Sequence, residues 1–429
     1  MHIAIGLEMI YSVDARHRAH LAGAFYECDY NGPERMSQQL FALSPAAILP
    51  QDANNAALAA RLWRPDIGGP SVVVLRQGEA FDITAAFPTM RDLCEAPDPA
   101  AALQAAKGEA LGPIAPMITN SWEADRNRDA PWFLAPPDLQ AVKAAGVTFA
   151  VSMLERVIEE RARGDFRAAA AIRAEITRLI GDDLSKLKPG SAQAMQLKDV
   201  LIAQGAWSQY LEVGIGPDAE IFTKCPPMAS VGLGADAGLH PISVWNNPEP
   251  EVVLAVSSAG RIVGASLGND VNLRDVEGRS ALLLGKAKDN NASCAIGPFL
   301  RFFDAAFGLD DVRSAYVSLT GEGPEGYRLE GGSSISQISR DPADLVRQMI
   351  GPHHQYPDGA MLFLGTMFAP IADRDTPGKG FTHKIGDVVT VSSPRLGALV
   401  NRMALSTTCA PWTFGASHLL RNLAQRGFV

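Results

Sequence analysis

The spacing of apolar residues changes twice along the 429-residue chain. Up to about residue 120, short apolar runs alternate with Gly and Pro. Segments 71–75 and 80–84, split by Gln77-Gly78, predict a β-hairpin. From Pro136 to about Trp207 the period becomes helical. Phe149, Met153 and Val157, with Leu154 and Ile158, recur every three or four residues, and Glu155, Arg156, Glu159 and Arg161 take the other faces. Gly164-Asp165 and Lys188-Pro189-Gly190-Ser191 punctuate two further helical stretches, giving an insert of three segments. From about Leu211 onward short strands take over, clearest at 251–256, 261–267, 315–319, 360–365 and 387–391. The pattern predicts an α+β chain. It divides into a small N-terminal α+β domain (1–120), a connecting segment with the helical insert (121–210), and a β-rich roll or sandwich (211–429).

Composition narrows the function more than the fold. Thirty-eight Lys and Arg against 47 Asp and Glu leave a net charge of -9, with no basic cluster, which argues against nucleic acid as the partner. No apolar run reaches the ~18 residues of a membrane span. The opening Met1-His2-Ile3-Ala4-Ile5-Gly6-Leu7-Glu8 lacks the basic start of a secretory signal. Five scattered cysteines (Cys28, Cys94, Cys225, Cys294, Cys409) form no Cys-x-x-Cys pair, which fits a reducing cytoplasm and argues against a zinc site.

The chemistry concentrates in Asn247-Pro248-Glu249-Pro250-Glu251, which leads into an apolar strand. Residues i and i+2 of a strand face one way, so Glu249 and Glu251 share a face. With a two- or four-residue turn at Ser257-Ser258-Ala259-Gly260, the hairpin would set Val256 opposite Arg261, Glu251 opposite Ser266 and Glu249 opposite Gly268. Asp270 would then join the glutamates, whereas an odd turn would send it to the other face. Three convergent carboxylates with no His or Cys beside them make an oxygen-only site, suited to Mg2+, Mn2+ or Ca2+.

Glu-Pro-Glu, then Asp270 on the next strand, then Lys286-Ala287-Lys288-Asp289-Asn290-Asn291-Ala292-Ser293-Cys294, resembles the catalytic core of the fumarylacetoacetate hydrolase superfamily, over roughly Gly216 to Leu399. The resemblance implies that superfamily's β-rich fold, with Glu249, Glu251 and Asp270 as metal ligands and Lys288 as the active-site lysine. Gly359 to Thr366 resembles the strand that ends in Gly-Thr and holds a substrate carboxylate, which makes Gly365 and Thr366 substrate-binding candidates. A residue as small as Gly365 would let the ligand approach the backbone. His383 to Asp387, and 385–399, resemble the closing strands and read as structural.

The superfamily holds hydrolases, decarboxylases, isomerases and dehydratases, so the reaction needs separate evidence. Where the hydrolases resembled carry a His-Glu pair, this chain has Thr148 to Glu155, with Ser152 at the histidine position and Glu155 retained. A serine is too weak a base to replace imidazole. Glu220-Ile221-Phe222-Thr223-Lys224 resembles the Glu-x-Phe-x-Lys segment of sugar-acid dehydratases, which marks Glu220 as an acid–base candidate and Lys224 as a substrate contact. The stretch 268–299, with Arg274 as a further substrate-binding candidate, resembles 2-keto-3-deoxy-pentonate dehydratases, as does the helical insert. The resemblance implies a magnesium-dependent hydro-lyase, cytoplasmic and a homodimer or homotetramer, that acts on a small anionic 2-oxo acid. Two alternatives remain at this level: a hydrolase of 2,4-dioxo acids using Glu155 or Glu220, and a ligand-binding protein without catalysis.

Overall fold

The structure, a computed structural model, describes residues 43–163, 187–203, 205, 207–368, 370, 372–375 and 380–429. Its first strands are β1 (Leu58–Arg64), β2 (Gly69–Arg76), β3 (Glu79–Asp82), β4 (Glu109–Pro113), β5 (Trp132–Leu134) and β6 (Ala141–Gly146). Next come β7 (Glu220–Cys225), β8 (Asp236–Leu239), β9 (Pro250–Val256), β10 (Ile262–Asp270) and β11 (Cys294–Phe302). The last are β12 (Tyr316–Glu322), β13 (Arg328–Ser334), β14 (Ala360–Phe363), β15 (Val388–Ser393) and β16 (Gly397–Leu405). They form two sheets. The larger runs β4-β3-β2-β1-β11-β10-β9-β14-β6-β7 with β5 paired to β1, and the smaller runs β13-β12-β15-β16-β8. This is the sheet-rich α+β class expected, in its sandwich form.

Period-2 alternation on β9 explains the layers. Val252 and Leu254 face the smaller sheet, packing in one core with Val317, Leu319, Val389, Val391 and Leu399. Val253 and Ala255 point the other way and pack with Phe363, Leu93 and Leu103, the last two from helices Met90–Glu95 and Pro99–Ala105. Both faces of β9 are therefore dry, which is why its sequence is a continuous apolar run. Each such buried Val or Leu contributes about 1.5–3 kcal/mol, so the carboxylates at its start stand on a rigid support.

The hairpin at Gln77-Gly78 forms as expected, with φ of 49° and 80° giving the left-handed pair that a tight two-residue connection needs. The division at residue 120 does not appear in the sheet. β1 pairs with β11, so strands β1 to β4 extend the sheet that carries the carboxylates. Of the helical insert, helices Ala150–Ala162, Ala192–Ala203 and Gln209–Ile215 pack together through Met153, Val157, Ile158, Leu201, Leu211 and Ile215. The middle segment expected from the sequence lies outside the described residues. Cys94, Cys225, Cys294 and Cys409 are buried and unpaired, while Cys28 lies outside the described residues. No described helix is long and apolar enough to cross a membrane.

The β9–β10 hairpin departs from the expected register. Glu251 lies opposite Gly268 rather than Ser266, because the turn pairs Val256 with Ile262 and a bulge between Ile262 and Gly264 adds one more residue. The two displacements sum to an even number, so the facing of every later residue survives. Asp270 still meets Glu249, and its N–H donates to the Glu249 carbonyl at 3.0 Å.

Candidate active site

Glu249, Glu251 and Asp270 are all buried, and one oxygen from each lies within 4.8 Å of the others. Lys288 ends a short helix (Leu284–Lys288) that delivers its ammonium between two of them, 2.5 Å from Glu249 Oε2 and 3.0 Å from Asp270 Oδ2. Ser293 fixes that helix end, its hydroxyl donating to the Lys288 carbonyl at 2.7 Å. Lys224 approaches from behind. It is fully buried, 2.8 Å from Asp270 Oδ1, and donates to the carbonyls of Val271 and Lys288.

Two groups not singled out in the sequence complete the ring. Arg156, on helix Ala150–Ala162, reaches Glu249 Oε1 and Glu277 Oε2, both at 2.7 Å. Glu277 closes a four-residue helix, Arg274–Glu277, that the strand pattern conceals. The sequence placed Arg156 among the charged residues off the apolar face, although it follows Phe149 and Met153 at i+7 and i+3, and that spacing gave no hint of a partner 93 positions away.

The three carboxylates, Lys288, Arg156 and Glu277 line a narrow cavity of about 40 Å³ with Gly146, Val147, Glu220, Phe222, Asn247, Arg274, Thr366 and Phe368. Its electrostatics are uneven. Burial disfavours the charged forms of both Asp270 and Lys288, but each offsets the other. Lys224 and Lys288 hold the Asp270 carboxyl below its ordinary value, and Asp270, Glu249 and Glu277 hold the Lys288 ammonium above its own. Glu251 has less help. Burial, then Asp270 and Glu249, push its carboxyl well above the usual range, against the pull of Lys288 and one backbone hydrogen bond from Gly365 N–H at 2.6 Å. Glu220 is pushed up to about 7 by burial and by Glu277, against the pull of Arg156 and Lys288.

The donor set fits a hard divalent cation. Three buried carboxylate oxygens converge without nitrogen or sulfur, and burial and acidic neighbours oppose the charge of Glu251 more than Lys288 and the Gly365 N–H favour it. Lys288, Lys224 and Arg156 already offset Glu249 and Asp270, so the need for a cation centres on Glu251 rather than on all three carboxylates equally.

The other candidates divide. Glu220, Arg274, Gly365 and Thr366 meet at the cavity with the triad and Lys288. Arg274 also stacks over Trp245 at 4.3 Å. Lys224 stands behind Asp270, outside the lining. Glu155 and Ser152 fall on helix Ala150–Ala162, and their side chains lie outside the described residues. Gly365 is glycine for a reason other than ligand approach. Its φ is +84°, and a Cβ there would come within 2.1 Å of Thr148 Oγ1, so the protein itself demands the small residue.

Among solved structures, the apo form of 2-keto-3-deoxy-D-arabinonate dehydratase superposes with a TM-score of 0.57 at 18% identity, over 81% of this chain and 99% of that one. The same enzyme complexed with magnesium and 2,5-dioxopentanoate gives 0.56 with the same identity and coverage. The chain shares the sheet-rich α+β fold of that dehydratase. Its curated homologues are 2-keto-3-deoxy-pentonate dehydratases. One is a probable 2-keto-3-deoxyxylonate dehydratase of Haloferax volcanii, 30% identical over 192 residues, 45% of this chain and 62% of that protein. Another is the 2-dehydro-3-deoxy-D-arabinonate dehydratase of Saccharolobus solfataricus, 28% identical over 186 residues, 42% of this chain and 57% of that protein. The chain thus spans about three-fifths of the length of these curated relatives. No family model matches it.

Proposed function

We propose that this chain is a magnesium-dependent hydro-lyase that removes water from a 2-keto-3-deoxypentonate to give 2,5-dioxopentanoate, the semialdehyde of 2-oxoglutarate. One observation carries the reading. A carboxyl poised near pH 7, Glu220, shares a cavity with an obligately charged lysine and a three-carboxylate cation site. The relatives' names, and the 2,5-dioxopentanoate held with magnesium in the solved relative, support this choice of substrate class.

Glu249, Glu251 and Asp270 would hold a divalent ion, whose positive charge would withdraw electrons from the 2-oxo group and acidify C3. Lys288, held protonated, donates to substrate oxygen as negative charge develops there. Glu220 exchanges protons. Half ionised near neutrality, it suits both the removal of a C3 proton and its return to the departing C4 hydroxyl as water. Transfer of a proton from C5 back to C3 then gives the C4–C5 enol, and protonation of C4 with loss of the C5 hydroxyl proton gives the aldehyde, so the sequence loses one water and nothing else. Arg156 and Glu277 keep Glu220 in that range, one favouring its charge and the other opposing it. Lys224 positions Asp270 and the Lys288 backbone. Arg274 and Thr366 complete the substrate contacts, and Glu155 remains a candidate on the insert helix. The enzyme works in the cytoplasm as a homodimer or homotetramer.

The test is direct. Purified protein with magnesium is given a 2-keto-3-deoxypentonate and, separately, a 2,4-dioxo acid, with products identified by mass. Loss of about 18 mass units from the first, one water, is expected. Cleavage of the second with the first untouched would overturn the assignment in favour of a hydrolase.

A further inference from the structure

Beyond the carboxylates the hairpin continues by one more rung. Glu251 faces Gly268, Glu249 faces Asp270, and Asn247 faces Asn272, the last two exchanging backbone hydrogen bonds at 3.1 Å in each direction. Residues two apart share a face, so the Asn247–Asn272 pair lies on the carboxylate face, about 7 Å further along at the usual strand rise. Asn247 lines the cavity, and Asn272 is fully buried across from it. Among the described residues their amides are short of partners. Asn247 Nδ2 donates to the Pro248 carbonyl, but Asn247 Oδ1 and both Asn272 side-chain atoms have no hydrogen bond. A buried polar atom without a partner costs about 1–3 kcal/mol, and three on a single rung call for an occupant with both a donor and an acceptor.

We propose that Asn247 and Asn272 form the subsite for the distal hydroxyl of the substrate. The inference rests on the 2-oxo acid reading and adds to it a requirement for hydroxylation at C5. The C5 oxygen of a five-carbon 2-oxo acid lies about 5 Å beyond C2, four single bonds along an extended chain. That span is about 2 Å short of the step from the carboxylate rung to the amide rung, a gap that the amide side chains and a hydrogen bond cover. The hydroxyl donates to Asn247 Oδ1 and accepts from Asn272 Nδ2, which supplies partners at both residues. It is also the group that becomes the aldehyde, so the subsite holds the end of the chain where the second proton transfer occurs.

Two inert probes separate the contributions. 5-Hydroxy-2-oxopentanoate keeps the distal hydroxyl but has no C4 hydroxyl to lose, and 2-oxopentanoate has neither. Calorimetric titration of the magnesium-loaded protein should find the hydroxylated probe about 10-fold tighter, the effect of about one well-made hydrogen bond. Asn247→Ala and the near-isosteric Asn272→Leu should reduce that preference to about 2-fold or less and leave 2-oxopentanoate affinity unchanged. Asn247→Ser serves if the alanine variant melts early. Equal binding of the two probes to wild type, or a preference retained in folded variants at both positions, would overturn the subsite while leaving the proposed function intact. Failure of 2-oxopentanoate to bind at all would overturn the 2-oxo acid reading and the subsite with it.

Discussion

Replacing Glu220 by Gln should weaken catalysis and strengthen the fold at the same time. The carboxyl rises from an ordinary 4.5 to about 7 in the folded protein, because burial and Glu277 disfavour its charge. Below pH 4.5 it is protonated in both the folded and unfolded chains and affects stability little. As pH rises through 4.5 the unfolded chain ionises first, so stability is lost progressively until the folded carboxyl ionises near 7. Above that the full penalty stands, about 3 kcal/mol at 1.36 kcal/mol per pH unit. The side chain is only partly buried, so solvent reduces this to about 1–2 kcal/mol. Gln keeps the shape and cannot ionise, so the variant should gain that amount at pH 8 and almost nothing at pH 4. Urea unfolding with chelator present, run on both proteins at pH 4, 6 and 8, reads the difference. Turnover should fall by at least about 100-fold, as for loss of a general acid–base. Parallel stability profiles for the two proteins would refute the titration argument. Unchanged turnover would remove Glu220 from the chemistry.

Glu251→Gln should reduce magnesium affinity by at least about 100-fold without loss of melting temperature in chelator, because the carboxyl removed is the one whose charge burial, Asp270 and Glu249 oppose. Calorimetry and thermal melting check the two halves. Lys288→Ala should lower turnover by about 100-fold or more and leave metal affinity equal or improved, since the competing ammonium on Glu249 and Asp270 is gone. Steady-state kinetics and metal titration separate these effects. Gly365→Ala forces a Cβ against Thr148 Oγ1 at a φ of +84° and should cost about 2–4 kcal/mol in unfolding free energy. Adding Thr148→Ala should recover part of it, and full stability of the single variant would contradict the packing argument.

The carboxylate triad was legible because strand parity is a local property. The register drawn from the turn was off by two residues, yet Asp270 arrived on the correct face, since only odd shifts reverse a strand. Glu249 and Glu251 needed no pairing information at all. What stayed hidden depends on contacts between distant segments. Arg156 meets Glu249 and Glu277 only because the fold brings the insert helix up to them, and no periodicity within that helix encodes its partner. The N-terminal strands were assigned to a separate domain because their pattern gives no sign that β1 pairs with β11, 243 positions away at Leu58 and Arg301. Gly365 was legible as a small residue, but the contact with Thr148 that also requires it was not, since Thr148 is distant in sequence and adjacent only in the fold. Charge counting failed in the same way. Three carboxylates in sequence imply a common need for a cation, whereas in the folded chain three basic side chains pair with Glu249 and Asp270, and Lys288 offsets only part of the burial and repulsion at Glu251. A site that leaves one acid only partly compensated and another near neutrality has placed its electrostatic strain on the groups that must bind the ion and move the proton. The fold sustains that strain because β9 is anchored on both faces.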